Sequence, residues 1–172
     1  MNFVRTWLGL LAVTGLFSGC ASIDGAGGGG TVNVEYQDPE NFTDMKRNDV
    51  VARGADEGYL RELQRYIERV GRNRVPEGRV VALTITDVDM AGDFEPQRGP
   101  EFNDVRIVKS IYPPRINLAF RVTDPAGNLI VEGERQLRDL SFNWRTSPVD
   151  QDDPLRHEKA LIDDFFRELA RL

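Results

Sequence analysis

The sequence predicts an α+β fold, a two-layer sandwich with a four- to five-stranded, mostly antiparallel sheet and two helices packed on one face. Three observations favour this fold class. Several short segments alternate apolar and polar residues, which is typical of strands with one face in water. Two longer segments carry apolar residues at helical spacing. The segments follow the order strand, helix, strand, hairpin, helix, which breaks the regular alternation of parallel α/β folds.

The first 19 residues have the features of a lipoprotein signal peptide. Arg5 supplies the positive charge, and the apolar stretch at residues 7–17 is shorter than the about 20 residues of a transmembrane helix. Residues 16–20 read LFSGC and resemble the lipobox of bacterial lipoproteins, where a signal peptidase cuts before a lipid-carrying cysteine. Cys20 is the only cysteine, so no internal disulfide can form. We expect lipidation of Cys20; the alternative is an incidental cysteine within a longer signal peptide.

A lipid anchor at this position predicts where the protein sits. Acyl chains contribute about 0.8 kcal/mol per buried CH₂, so two or three of them hold a protein on a bilayer. The residue after the cysteine is Ala21 rather than Asp, and by resemblance to Gram-negative lipoproteins this favours the outer membrane. We therefore expect a cell-envelope protein that faces the periplasm.

Composition bounds the rest of the chain. Residues 20–30 hold the lipidated cysteine and a glycine-rich tether, whose r.m.s. reach is about 17–19 Å. Residues 31–172 have the length of a single domain. The formal net charge of −6 argues against nucleic acid, and against anionic lipid headgroups, as the main ligand.

The first strand and the first helix are predicted within residues 31–71. Residues 31–36 alternate as a strand with one wet face. Residues 56–71 carry apolar side chains on one helical face, with Glu62 and either Arg65 or Tyr66 on the solvent side. Between them, Phe42 is expected to contact the core, and Asp44 to cap a helix or to form an Asx-turn.

Residues 79–86 are predicted to form the central strand, because branched apolar side chains alternate there with smaller or polar ones. Continued without interruption, the same face would turn Asp87 and Asp89 toward the core. A β-bulge after Thr86 corrects the phase, since it returns the following apolar residues to the core and turns both carboxylates outward. We expect function at this edge of the sheet.

The chain then forms a loop and a hairpin. Residues 93–104 are predicted to be a loop, and residues 105–111 a short strand. Two longer strands pair around a turn at residues 124–128. Because the apolar residues change phase after this hairpin, a second irregularity is expected near residues 137–139. The residues that change phase are Leu140, Phe142 and Trp144.

The last helix is predicted to begin at Asp153 and Pro154, with the aspartate as N-cap and the proline in the first helical position. A wide apolar face follows, which we expect to pack on the sheet beside the first helix.

Sequence segments spread over the whole domain are similar to those of a known protein family. They are residues 34–44, 86–92 (TDVDMAG), 104–109 (DVRIVK), 123–128 (TDPAGN), 155–159 (LRHEK) and 163–166 (DDFF). In this order they resemble the bacterial domain-of-unknown-function family 3016, whose members are exported and often lipid-anchored. That family has no established activity, so the resemblance implies no catalytic or binding residues. His157 stands where the family often has tyrosine, which argues against a role for its imidazole.

The sequence contains no motif for nucleophilic catalysis, zinc binding or phosphate binding. His157 is the only histidine, and a single histidine near a helix start is typically a surface or capping residue. We therefore predict no catalytic residue and no cofactor.

An acidic set after the central strand is the remaining candidate site. Asp87, Asp89 and Asp93 are weak candidates for a Ca²⁺ or Mg²⁺ site, with Asp104 or Asp139 as further ligands. Alternatively, they accept backbone amides at the bulge or pair with an arginine of the hairpin. Arg135 or Arg138 is an example of such an arginine.

Three functions are compatible with the sequence. The first is a non-enzymatic, membrane-anchored module that binds another envelope protein through the sheet edge or through residues 93–104. The second is a carrier or sensor of a small or lipidic ligand held between helices and sheet, which an apolar cavity would favour. The third is a hydrolase that uses the aspartates.

Overall fold

A computed structural model of the chain describes residues 29–46, 54–145 and 149–171. Cys20, the signal peptide and most of the predicted tether lie outside the described residues. The described elements are β1 (Thr31–Tyr36), α1 (Glu57–Arg74), β2 (Val80–Asp89), β3 (Asp93–Phe94), β4 (Arg106–Ile107), β5 (Arg115–Thr123), β6 (Leu129–Arg138) and α2 (Arg156–Leu169). Short 3₁₀ turns occur at Pro39–Asn41, Pro96–Arg98, Pro100–Phe102 and Phe142–Trp144.

The main sheet has four strands in the order β1-β2-β5-β6. β1 pairs with β2 in parallel, and the other two pairings are antiparallel. β3 and β4 form a separate two-stranded sheet. Apolar residues of both helices and of one face of the main sheet form a single core. The structure is therefore an α+β sandwich with helices on one face, which confirms the predicted fold class.

The bulge in the central strand is confirmed. The register between β2 and β5 shifts between Ile85 and Asp87, so Thr86 is the extra residue. Its hydroxyl donates to the backbone oxygen of Asn117 at 3.3 Å. Beyond the bulge Val88 is completely buried, as the core requires, and the neighbouring carboxylates lie on the other face.

The second irregularity lies elsewhere than predicted. β6 pairs with β5 without a break up to Arg138, and the register shift lies at the start of the hairpin, between Val122 and Thr123. Asp139 ends the strand, because its side chain accepts the backbone N–H of Ser141 at 2.8 Å. Of the apolar residues after this point, Leu140 is exposed and the other two belong to the turn Phe142–Trp144, which buries only Phe142. Their period of two residues came from a turn rather than a strand.

Several element boundaries also differ from the prediction. Only Arg106–Ile107 of the expected strand at 105–111 is paired. α1 begins after Asp56, whose carboxylate accepts the N–H of Tyr59 at 2.9 Å. Asp153 accepts the N–H of Leu155 at 2.8 Å and so caps a turn just ahead of α2. Within the described ranges, neither helix combines the length and apolarity needed to cross a membrane.

The two helices and β1 meet at Gly71. A Cβ atom there would lie 2.4 Å from Val32 Cγ2 and 2.8 Å from Phe166 Cζ, so the close approach requires glycine. Near this point the chain enters the domain, because Gly30, assigned to the tether from sequence, is buried and donates to the backbone oxygen of Val75 at 2.9 Å.

Candidate functional site

The two ends of the main sheet carry different parts of the chain. β1 starts at one end beside Val80 of β2, which we call the entry end. β2 finishes at the opposite end, where Asp89 pairs with Arg115 of β5. There, residues 93–112 form a small lobe that contains β3 and β4, and we call this the lobe end. Both helices also begin at the lobe end, where residues 86–92, 104–109 and 155–159 of the segments quoted for the family resemblance lie, whereas the turn at residues 124–128 lies at the entry end.

Arg106 fastens the lobe to the sheet. Its guanidinium makes two hydrogen bonds to the Asp44 carboxylate, at 2.6 and 3.0 Å, and further ones to the backbone oxygens of Gly92 and Lys46 at 3.1 Å each. The same group lies 4.6 Å from the ring centroid of Phe94. A bidentate, largely buried pair of this kind is strong and directional. The expectation that Asp44 caps a helix or forms an Asx-turn is therefore wrong.

A second polar cluster keeps the lobe in shape. Glu95 is buried and accepts from Lys109 Nζ at 2.7 Å and from the Tyr112 hydroxyl at 3.1 Å. Arg98 lies 3.5 Å from the same carboxylate. The hydrogen bond from Lys109 holds the pKa of Glu95 below its usual value. No pattern in the sequence indicated this cluster, because its members are spaced without helical or strand periodicity.

The predicted acidic candidates have structural partners. Asp87 accepts the backbone N–H and the hydroxyl of Thr43 at 2.7 and 2.9 Å. Arg115 lies 3.5 Å from Asp87 and 3.2 Å from Asp89. Burial, opposed by Arg115, raises the pKa of Asp89 above its usual value. Asp93 is exposed and accepts the backbone N–H of Phe94. These aspartates therefore support the bulge and its surroundings.

The arginine that pairs with them was not predicted. Arg115 takes this role, whereas the Arg135 guanidinium lies 5.4 Å from the Phe120 ring centroid, and Arg138 forms no salt bridge within the described ranges. Asp139 pairs with Arg145 at 2.9 Å, away from the bulge. Among residues 29–46, 54–145 and 149–171, no group of three or more histidine, cysteine, aspartate or glutamate side chains is arranged to hold a metal ion.

Buried polar contacts join α2 to its neighbours. Of Arg65 and Tyr66, the alternatives expected on the solvent side of α1, Arg65 is exposed, whereas Tyr66 is buried and donates its hydroxyl to Asp163 at 2.8 Å. Its ring lies at the border of the apolar face, where spacing alone does not settle exposure. Lys159 is also buried and bonds to Glu62 of α1 at 2.6 Å and to Asp153. Both contacts fix the start of α2 against α1.

Glu158 is the most deeply buried carboxylate described. One of its oxygens, Oε1, accepts the backbone N–H of Ala91 at 2.8 Å, and Oε2 has no hydrogen-bond partner. Burial raises its pKa to about 7. The contact joins the first turn of α2 to the end of β2, so this joint titrates near neutral pH.

His157 is half-buried, not a surface or capping residue. Its ring makes an edge contact with Phe142 at a centroid distance of 4.8 Å. Burial, and then the adjacent Arg156, lowers its pKa to about 4. Arg156 Nε donates to His157 Nε2 at 3.0 Å, so the neutral ring carries its proton on Nδ1.

Exposed apolar side chains concentrate at the lobe end. In the lobe they are Val105, Val108 and Ile111, at 47%, 40% and 69% exposure, and after β6 they are Leu140 and Trp144, at 67% and 88%. Ile111 shares a cleft of about 360 Å³ with Arg138, and Val108 shares another of about 240 Å³ with His157. We call these five exposed side chains the lobe-end patch.

The clefts of the described part of the chain differ widely in the volume that they offer a small ligand. Between α2 and the turn Phe142–Trp144 lies a cleft of about 350 Å³, which includes His157, Arg156 and Trp144 in its walls. Between helices and sheet at the entry end, the apolar crevice has a volume of only about 10 Å³. The interior described here is therefore filled by side chains.

The sequence was also compared with known proteins. No curated protein matches it. The model of one family, described as a protein of unknown function (DUF3016), matches residues 30–168, which include every strand, α1 and all of α2 except its last residue. The match confirms the family resemblance that the sequence segments indicated. The chain belongs to the DUF3016 family.

Proposed function

We propose that the protein is a lipid-anchored component of the cell envelope that binds another envelope protein and has no catalytic activity of its own. The observation that carries the proposal is the lobe-end patch, whose five apolar side chains are exposed at one end of the fold. Single exposed apolar residues are common on soluble domains. A group of them at one end, which includes a tryptophan, is typical of binding surfaces.

The lobe is suited to binding because its shape is already fixed. Arg106 holds it to Asp44, and the carboxylate of Glu95 ties two of its segments together. A partner that docks on a fixed surface loses less free energy to ordering than one that docks on a flexible loop. The binding region proposed from sequence, residues 93–104, is thereby extended to the apolar residues that follow it.

The charges around the lobe-end patch indicate the partner's chemistry. Asp93, Glu101 and Asp104 are exposed in the lobe and form no salt bridge within the described part of the chain. An apolar pocket with a basic rim would complement them. We therefore propose a protein partner whose docking face is apolar at its centre and basic at its margin.

The proposed anchor is compatible with this arrangement. Cys20 lies ten residues before Gly30, and a chain of that length spans at most about 35 Å. Gly30 lies at the entry end, and the ten residues of β2 separate that end from the lobe end by about 33 Å. A tether that enters at one end leaves the other end accessible to a partner in the periplasm.

Other functions have weaker support. A carrier of lipidic ligands needs an internal cavity, and a crevice of about 10 Å³ admits little more than one water molecule. A hydrolase that uses Asp87 needs this carboxylate for chemistry, but Thr43 takes up both of its oxygens. Binding without catalysis is the function that these observations favour.

The test is cross-linking in cells followed by mass spectrometry of the envelope fraction. Full-length protein is compared with Cys20→Ser, with Ile111→Asp and with Trp144→Ala. Leu129→Asp is the matched control, because Leu129 is exposed to 49% but lies at the entry end.

We expect one discrete protein partner that the lobe-end variants lose and Leu129→Asp retains. Cys20→Ser should leave the membrane fraction and lose the partner. A partner that survives both lobe-end variants would contradict the docking surface, and membrane retention of Cys20→Ser would contradict the anchor.

A further inference from the structure

We propose that the cleft between α2 and the turn Phe142–Trp144 binds the oxyanion of a ring-bearing ligand, a carboxylate or a phosphate, through Arg156. The inference goes beyond the proposed function, because it depends neither on a lipid anchor nor on a protein partner. It rests on the charge arrangement of the cleft, on the donors of Arg156 and on the position of Trp144.

Arg156 is a half-buried cation whose described partners are all neutral. Its Nε donates to the His157 ring at 3.0 Å, and Nη1 donates to the backbone oxygen of Gln151. No carboxylate of residues 29–46, 54–145 or 149–171 forms a salt bridge with it. Partly buried charges are normally paired, since desolvation without a counter-charge is unfavourable. Arg156 therefore has no counter-anion among the described residues, and a bound ligand could supply one.

The other charges in the cleft are already compensated. Arg145 pairs with Asp139 at 2.9 Å and with Asp164 at 2.5 Å, and Arg167 also pairs with Asp164 at 2.7 Å. The remaining wall carboxylate, Asp163, accepts from Tyr66 and Arg74. Because these carboxylates are neutralised, they repel an incoming anion only weakly, and the charge of Arg156 remains unbalanced.

The two hydrogen bonds of Arg156 fix its plane and leave donors available. A guanidinium has five N–H groups, and His157 and Gln151 use two of them. The others are one N–H group of Nη1 and both of Nη2, and one donor from each of these two nitrogens can form a bidentate contact with an oxyanion. His157 thus acts as a positioning residue: its neutral ring holds the guanidinium without cancelling its charge.

The cleft has the size and walls for a small organic anion. Its volume of about 350 Å³ falls within the usual range of ligand sites, about 300–1,000 Å³. Phe142 and His157 form an aromatic wall, and the Trp144 ring is exposed at the rim. Exposed indole faces stack on flat ligand groups. We therefore assign the ring of the ligand to the neighbourhood of Trp144.

Tryptophan fluorescence gives a direct test. The chain has two tryptophans, Trp7 in the signal peptide and Trp144 at the cleft, so Trp7→Phe leaves Trp144 as the only reporter. Full-length protein of this background in detergent is titrated with phenyl phosphate and with benzoate. Phenol provides the ring without the oxyanion, and sodium chloride controls for ionic strength.

We expect a saturable change with one or both oxyanions and none with phenol. The oxyanion that binds more tightly identifies the ligand class. Arg156→Gln should weaken binding at least tenfold, whereas Arg171→Gln, an exposed arginine just beyond the other end of α2, should leave it unchanged. His157→Phe keeps an aromatic ring beside Phe142 but removes the acceptor, so it should weaken binding severalfold while the protein stays folded.

Two results would overturn the proposal. One is the absence of a saturable change with both oxyanions. The other is binding that Arg156→Gln and His157→Phe both leave intact, in protein whose thermal unfolding shows that it is folded. Because neither readout involves the membrane or a partner, failure here is distinct from failure of the proposed function.

Discussion

His157 and Glu158 are neighbours in the first turn of α2, and their pKa values shift in opposite directions on folding. Burial raises the pKa of Glu158 from 4.5 to about 7, and burial lowers that of His157 from 6.5 to about 4. Between pH 4.5 and 6.5 the unfolded chain therefore has an ionised glutamate and a protonated histidine. The folded chain has the reverse, with the same number of protons on the pair. The two residues should largely mask each other in the pH dependence of stability.

The separate contributions follow from linkage. The folded state keeps the Glu158 proton that the unfolded state loses, so stability falls as pH rises from 4.5 to 7. A shift of this size corresponds to about 3 kcal/mol, at about 1.4 kcal/mol per pKa unit. His157 acts in the other direction, since the unfolded state binds a proton that the folded state lacks below pH 6.5. Because His157 is half exposed, its contribution is reduced by solvent to about 1–2 kcal/mol.

Single variants separate the two contributions, because each changes how the free energy of unfolding depends on pH. Glu158→Gln should gain about 3 kcal/mol of stability relative to wild type as pH rises from 4.5 to 7, because the opposing contribution of the glutamate is gone. His157→Phe should lose stability more steeply than wild type as pH rises through 4.5–6.5. Urea unfolding of the full-length Cys20→Ser chain at several pH values measures both slopes.

Glu101→Gln is the matched control, because its side chain is an exposed carboxylate of the lobe. Other carboxylates contribute to the absolute pH dependence, so the comparison is made between variants. If Glu158→Gln and wild type had parallel curves between pH 4 and 7, Glu158 would not be the buried, proton-holding group described here.

Two further predictions concern stability. Arg106→Met should cost about 3 kcal/mol, because it leaves the Asp44 carboxylate buried without its bidentate partner, and Arg121→Gln, in an exposed pair, should cost less than about 1 kcal/mol. Equal losses of unfolding free energy in the two variants, measured in urea, would show that the Arg106–Asp44 pair contributes no more than an exposed pair. Gly71→Ala should lower the thermal midpoint although alanine favours helices, since its Cβ would lie 2.4 Å from Val32 Cγ2; an unchanged or raised midpoint would show that the helix can move aside.

The sequence was most informative where the alternation of apolar and polar residues was interrupted. The period-2 pattern of the central strand fails after Ile85, and the failure has one economical remedy, an extra residue at Thr86. The same reasoning misplaced the second irregularity, because the alternation from Leu140 to Trp144 comes from a 3₁₀ turn. Three apolar residues at a spacing of two are too few to distinguish a strand from such a turn.

Pairings between distant residues could not be predicted. Asp44 and Arg106 are 62 positions apart, and neither residue type nor local spacing connects them. The choice of Arg115 over Arg138 as the partner of Asp89 depends on the register of β5, which the bulge itself sets. Tyr66 remained an alternative on the solvent side because a residue at the border of a helix face can reach inward through its long side chain. Each of these errors concerns a tertiary contact, and the periodicity and secondary-structure propensity of a sequence carry no information on which distant residues meet.

The bulge at Thr86 connects the fold to the proposed binding end. One extra residue turns Asp87 and Asp89 to the outer face, where Thr43 and Arg115 bind them. The same residue returns the chain to the core in the phase that lets Ala91 donate to Glu158. From there the backbone leaves the sheet at Gly92, whose positive φ of 82° suits glycine, and begins the lobe. The position of the lobe-end patch relative to α2 therefore depends on a single irregularity in the central strand.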